Sequence, residues 1–269
     1  MHSITHSKGT QLPTRDRTAG GEDRRKAERR YRVEAVFWVI GFIIYIIGCV
    51  TIHGHPQPYP FELTTTETVQ GFHLMPWLRD ALVFPSILNN IGPSLIAMII
   101  WVGWMLLMAL IFHLRGRSPL NWIKAAVFLA LTVGISYGLQ GITELLVNRP
   151  RPDPHHYPIH VYTPLVPYPT FPSGHTEFDT LYYGSLLYLS FTKPVREWRY
   201  RWLLIPLQLF AVYALLTIGF SRILEGDHWL LDVLGGYLEG AIYLFVFIAL
   251  FRWVTAKLAQ RQAMKMQRV

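Results

Sequence analysis

The sequence has little cysteine and little charge. Of its 269 residues only Cys49 is a cysteine, and it lies inside an apolar run. One thiol excludes a disulfide framework within the chain and any cysteine-based metal site. Charged residues make up 16% of the chain, against about 25% in an ordinary soluble domain. The deficit comes from long apolar runs rather than even dilution, which marks a membrane protein. The basic residues form no patch interleaved with aromatic side chains, so no nucleic-acid partner is expected. No acidic cluster suits a catalytic metal, so metal-independent chemistry with no cofactor is expected.

What the chain does have is an excess of positive charge, +8 in all, concentrated towards its two ends. Residues 1–33 are polar, and Arg24-Arg25-Lys26-Ala27-Glu28-Arg29-Arg30 is the strongest charge run. It sits too far into the chain, and the apolar run after it lacks a small-residue cleavage site, so it does not read as a removable signal peptide. The expectation for 1–33 is a disordered basic tail on the cytoplasmic side that fixes topology. Contact with anionic lipid is the alternative.

Six apolar runs are each long enough to cross a bilayer as a helix of about 20 residues. They are Ala35–Ile52, Pro93–His113, Trp122–Val147, Gly174–Phe191, Trp202–Phe220 and Trp229–Trp253. The fold expected is an all-α, six-transmembrane helical bundle spanning 34–253, followed by a basic cytoplasmic tail over 254–269. The fourth run opens with His175, Glu177 and Asp179, which must face protein or water. With six spans, nearly all Lys and Arg fall on one side: the two tails, Arg115 with Arg117, and Lys193 to Arg201. The positive-inside rule makes that side cytoplasmic, with both termini on it, in a multi-pass protein of the cell membrane. The outer loops are then 53–92, 148–173 and 221–228, and their only Lys or Arg residues are Arg79, Arg149, Arg151 and Arg222. Arginine on the side that disfavours it points to function. In the first of these loops, Pro76 to Leu88 is apolar but too short to span, and it suits a position along the interface.

Three clusters lie on that outer side. In Ser221-Arg222, five residues, His228, three residues, Asp232, the last pair share a helix face. A carboxylate there can hold one imidazole N–H and leave the other nitrogen as a nucleophile. Arg222 offers a planar fork for phosphate oxygens. Caps at a water boundary would also account for this His and Asp. In Phe171-Pro172-Ser173-Gly174-His175, Ser173 suits an N-cap and Gly174 permits close backbone approach. The helix start attracts an anion, and His175 can hand a proton to a leaving oxygen. A simple cap explains Ser173 but not His175. In Asn148-Arg149-Pro150-Arg151-Pro152-Asp153, the prolines stiffen the chain that carries two guanidinium groups. Together the clusters supply what phosphate transfer to histidine needs: a nucleophile, its orienter, a general acid and cations.

On these residues the chain resembles the type 2 phosphatidic acid phosphatase superfamily, which includes bacterial lipid phosphate phosphatases and shares its site with vanadium haloperoxidases. The family pattern is Lys, six residues, Arg-Pro; then Pro-Ser-Gly-His; then Ser-Arg, five residues, His, three residues, Asp. The second part is present at Pro172 to His175 and the third at Ser221, Arg222, His228 and Asp232. The resemblance covers about Thr143 to Gly236. It implies that His228 attacks phosphorus, Asp232 orients it and His175 protonates the leaving group. Arg151, Ser173, Gly174 and Arg222 would then hold the phosphate oxygens, at the outer membrane surface.

The first part departs from the pattern: Arg151-Pro152 is present, but Glu144 stands where the family has lysine. Three readings follow. Arg149 supplies the missing charge, Glu144 meets a cationic or hydroxyl-bearing head group, or the site binds without turnover. The function expected is a membrane phosphatase acting on a lipid-linked phosphomonoester or diphosphate through a phosphohistidine. A transferase resolving the same intermediate with an alcohol, and a non-catalytic anion or lipid binder, are the alternatives.

Overall fold

A computed structural model describes residues 15–164 and 166–266, and every regular element among them is helical. The elements are α1 (Arg15–Gly54), α2 (Pro60–Gln70), α3 (Pro76–Leu88), α4 (Ile91–Leu114), α5 (Leu120–Val147), α6 (Gly174–Ser190), α7 (Ile205–Leu224) and α8 (Leu230–Met266). Two short 3-10 turns precede α7. The chain divides into two units at Gly41. The first holds the N-terminal part of α1. The second, from Phe42 onward, holds all the residues of interest below.

Parts of α1, α4, α5, α7 and α8 are long and apolar enough to cross a membrane. The sixth expected span, α6, has 17 residues, about 26 Å of helix, which is the short end of what a bilayer core of about 30 Å accepts. It lies in the interior, packed on α5, α7 and α8, and buries Thr176, Glu177 and Asp179. This satisfies the demand that its polar opening face protein. By contrast α4 turns Ile91, Ile96, Ile99 and Ile100 outward, and α1 turns out Ile43, Ile47 and Val50. Such surfaces suit lipid. The all-α multi-span bundle expected from the sequence is therefore the fold observed.

Three expectations change. The basic stretch from residue 15 onward is helical rather than a disordered tail. It is rich in Glu, Arg, Lys and Ala, which favour helix, and Arg30 bonds Glu34 one turn on at 2.7 Å. Residues 1–14 lie outside the described residues. At the other end α8 carries helix through the second basic tail to Met266. The third change concerns residues 53–92. Pro60 starts α2, where Thr64, Thr65, Thr66 and Thr68 each bond the carbonyl four residues back. The apolar segment Pro76–Leu88 is α3, and it packs on α7, with the Tyr213 hydroxyl on the Ala81 carbonyl. The apolar segment, too short to span, is thus a helix packed on α7 that leaves Trp77, Phe84 and Ile87 exposed.

Glycines set how closely α8 approaches α6. A Cβ on Gly236 would lie 2.5 Å from the Ser173 carbonyl oxygen and 3.0 Å from Thr176 Cβ. The Ser173 N–H in turn donates to the Asp232 carbonyl at 2.9 Å. The two helix starts are therefore held together by backbone contact. Gly236→Ala is expected to force them apart and cost about 1–3 kcal/mol, as overpacking of a tight contact does. Gly138 is the control, because a Cβ there would meet nothing within 4 Å. Gly138→Ala should not lower the melting temperature in detergent, whereas Gly236→Ala should.

Candidate active site

The site forms where the end of α5, the starts of α6 and α8 and the end of α7 meet α2 and the α3–α4 junction. Asn148 closes α5 in the left-handed region at φ 50°, a conformation asparagine tolerates better than most residues. The chain then turns inward at Arg149. Its guanidinium is fully buried: Nη1 donates to Asp232 at 2.6 Å and to Glu62 at 3.2 Å, Nη2 donates to Glu62 at 2.7 Å, and Nε donates to the Pro56 carbonyl at 3.2 Å. Burial acts to weaken the Arg149 charge, but Asp232 and Glu62 outweigh it and raise its pKa. Arg149 is thus committed to two carboxylates and does not replace the missing lysine. Glu144 accepts a hydrogen bond from Gln140.

His228 sits in the turn between α7 and α8 and is 2% exposed. Its Nδ1 lies 2.9 Å from both the backbone carbonyl and the hydroxyl of Thr170. A carbonyl only accepts, so Nδ1 carries the proton and Nε2 keeps its lone pair. The expected direct bond from Asp232 is absent, because the carboxylate stands 3.9 Å from Nδ1. Thr170 occupies the space between, and its hydroxyl donates to Asp232 Oδ2 at 2.9 Å. Asp232 also accepts from the Trp229 N–H at 2.8 Å, capping the start of α8. It supports His228 through Thr170 rather than by touching it. Burial pushes the His228 pKa well below the usual imidazole value, reinforced by Arg151 and Arg222. The ring is therefore neutral at physiological pH.

Arg151 bonds the carbonyls of Tyr168 at 3.0 Å and Asp227 at 3.2 Å, and its Nη1 comes within 3.5 Å of His228 Nε2. Arg151, His175, Arg222 and His228 all face one cavity of about 380 Å³, whose walls also include Ser86, Glu225 and Asp227. Two atoms at this site are buried without a partner among the described residues: His175 Nε2 and Arg222 Nε. Four of the residues singled out in the sequence thus line one space. Ser173 and Gly174 are not part of its wall. Ser173 is fully buried and accepts from the Thr176 hydroxyl, and Gly174 abuts the Gln140 amide, so its missing side chain makes room for protein rather than ligand.

Four residues escaped the sequence reading. Thr170 stands two places before Pro172 and carries no signal of its own. Glu62 lies far away, in α2. Glu225 and Asp227 lie within the spacer between Arg222 and His228 and were legible only as acids beside an arginine. Both clamp Arg222: Glu225 at 2.9 Å, and Asp227 together with the Ser86 hydroxyl. Gly226 between them holds φ 74° against the His160 carbonyl, where a side chain would be strained and would clash.

A family model described as the PAP2 superfamily matches residues 125–256. Among solved structures the chain is similar to that of the first transmembrane PAP2-type phosphatidylglycerolphosphate phosphatase from Bacillus subtilis. The two share 20% identity at a TM-score of 0.60, over 81% of this chain and 96% of that one. Curated proteins show no match. The match in fold spans most of the bundle, while the cavity itself tests the anion reading. Inorganic phosphate should raise the melting temperature of the protein in detergent, because a ligand bound only by the folded state stabilises it. Arg151→Gln should lose most of that rise, whereas Asp153→Asn, outside the cavity wall, should keep it.

Proposed function

The chain belongs to the PAP2 superfamily, and on that premise we propose that it is a membrane phosphatase acting on a lipid-linked phosphomonoester or diphosphate. The observation that carries the reading is the pairing across the cavity. His228, with Nδ1–H fixed and Nε2 unprotonated beside Arg151, shares that space with His175 and Arg222. The several apolar helices of a multi-pass membrane protein surround this polar site, which suits a substrate with an apolar tail and a phosphate head.

In the proposed reaction, His228 Nε2 attacks phosphorus as the bond to the leaving oxygen breaks. His175 takes up a proton as the phosphate anion binds beside it, and gives that proton to the leaving oxygen. Water then attacks the phosphohistidine, the N–P bond breaks, and the water proton passes to His175. Lipid alcohol, or lipid monophosphate from a diphosphate, and inorganic phosphate are the products. Arg151 and Arg222 balance the charge on the phosphoryl oxygens, the part of the work that electrostatics does best in a dry site. Support for the roles comes from the shared cavity and the motif spacing. The outer-facing orientation rests on the distribution of Lys and Arg.

The test is phosphate release from a panel of lipid phosphates. His228→Ala should abolish it while leaving a folded protein in the membrane, and orthovanadate, which mimics five-coordinate phosphorus, should inhibit the wild type. Full activity in His228→Ala would sink the mechanism. Because His228 must be neutral to attack and its pKa is lowered from 6.5, the group stays active as pH falls through 6.5. Its contribution to the acid limb of kcat/KM is expected below that value.

A further inference from the structure

Glu62 is the least expected member of the site. It lies in α2, in a stretch that otherwise reads as an outer loop, yet it is fully buried. Both carboxylate oxygens are used. Oε1 accepts from Arg149 Nη1 at 3.2 Å and from the Leu231 N–H at 3.0 Å. Oε2 accepts from Arg149 Nη2 at 2.7 Å and from the Tyr59 N–H at 2.9 Å. Leu231 and Trp229 belong to the start of α8, and their amides are taken by Glu62 and Asp232 respectively. The helix that carries Asp232 therefore begins on two carboxylates, with the Arg149 fork between them.

The charges of this group do not cancel. An Arg149–Asp232 pair alone is neutral. With Glu62 the buried group carries a net charge of −1, and it stands directly behind Thr170 and the Nδ1 side of His228. When Nε2 bonds to phosphorus the imidazole ring becomes cationic. A fixed negative charge on its far side, in a site closed to water, favours that state over the neutral resting ring.

We propose that Glu62 is a positioning residue for the nucleophile: through Arg149, Asp232 and Thr170 it holds His228 in register and supplies the countercharge for the phosphohistidine. This rests on the phosphatase reading above. The same helix reaches the other walls. Gln70, at its end, donates to the His160 carbonyl at 2.7 Å and the Leu224 carbonyl at 3.3 Å, and accepts from the His160 N–H at 2.9 Å. The first outer loop is thus part of the active site, with a carboxylate at one end of α2 and an amide at the other.

The experiment compares Glu62→Gln with Glu62→Asp in the full-length protein. Glutamine keeps the length and removes the charge, whereas aspartate keeps the charge and shortens the side chain. The expected result is that Glu62→Gln lowers kcat by up to about 100-fold with KM within about twofold of wild type. Glu62→Asp should retain more kcat than Glu62→Gln. A role in packing alone predicts the reverse order, with the longer glutamine better tolerated, and that order overturns the proposal. Wild-type kcat in Glu62→Gln overturns it too. Should Glu62→Gln fail to fold, Glu62→Asp decides alone: kcat within about tenfold of wild type supports the charge, and a larger loss at unchanged KM overturns it. The wild type is assayed in parallel. If it releases no phosphate from any lipid phosphate, the phosphatase reading fails and this inference with it. An active wild type with an indifferent Glu62 defeats only the inference.

Discussion

The ion pair between Arg149 and Asp232 is the contact on which the arrangement of the site depends. Both side chains are fully buried, and isolated charges do not survive in such a place. Removing one partner of a buried pair costs about 3–5 kcal/mol, because the other is left uncompensated. The cost is met here by dense hydrogen bonding. Every nitrogen of the Arg149 fork has an acceptor, and Asp232 takes Arg149, the Thr170 hydroxyl and the Trp229 amide. The geometric consequence is that three distant segments must meet at one point. These are the end of α5, the start of α8 and the first turn of α2. His228 precedes α8 by two residues, so fixing the start of that helix also fixes the imidazole.

The apolar body makes this network possible rather than merely enclosing it. Trp122, Leu129, Ala211 and Ala214 form a close core between α5, α7 and their neighbours, and Gly236 lets α8 touch the first turn of α6 through backbone. Because the Ser173 N–H ties the start of α6 to the start of α8, His175 reaches the same cavity as His228. Asn89, at the α3–α4 junction, ties this down further. It donates to the His175 carbonyl at 2.8 Å and to Asp179 at 2.9 Å. The position of His175 is therefore secured by the same stretch between α1 and α4 that supports His228, but through a different helix pair.

Much of this was legible in the sequence, and what was not has a physical reason. Apolar runs of bilayer length reveal spanning helices because lipid leaves the backbone little alternative. The spacing of Arg222, His228 and Asp232 is local, so it too can be read. The motif reading stops short where the partner is distant or intervening. Asp232 and His228 share a helix-like spacing, yet Thr170, brought in from another loop, takes the place between them. Ser173 and Gly174 looked like ligand-facing residues, but their neighbours are Thr176 and Gln140. Arg149 looked like a spare cation for the phosphate until Glu62, 87 positions away, claimed it. No periodicity marks Glu62, because its burial is decided by tertiary contact and not by its own helix.

The charges around the cavity govern how it receives an anion. The family pattern has a lysine where this chain has Glu144, which leaves Arg151 and Arg222 as the cations of the cavity wall. Arg222 is already held by Glu225, Asp227 and Ser86. A buried guanidinium without anions would be costly, so these carboxylates keep its charge compensated. They also mean that an incoming phosphate meets a cation with partners, and must exchange places with a carboxylate or share the guanidinium with it. Arg151 differs, since its bonds are to backbone carbonyls that carry no net charge. The positive charge most available to an anion is therefore Arg151, which is also the one beside His228 Nε2. With Glu144 at that position, the site's usable positive potential is concentrated at Arg151, beside His228.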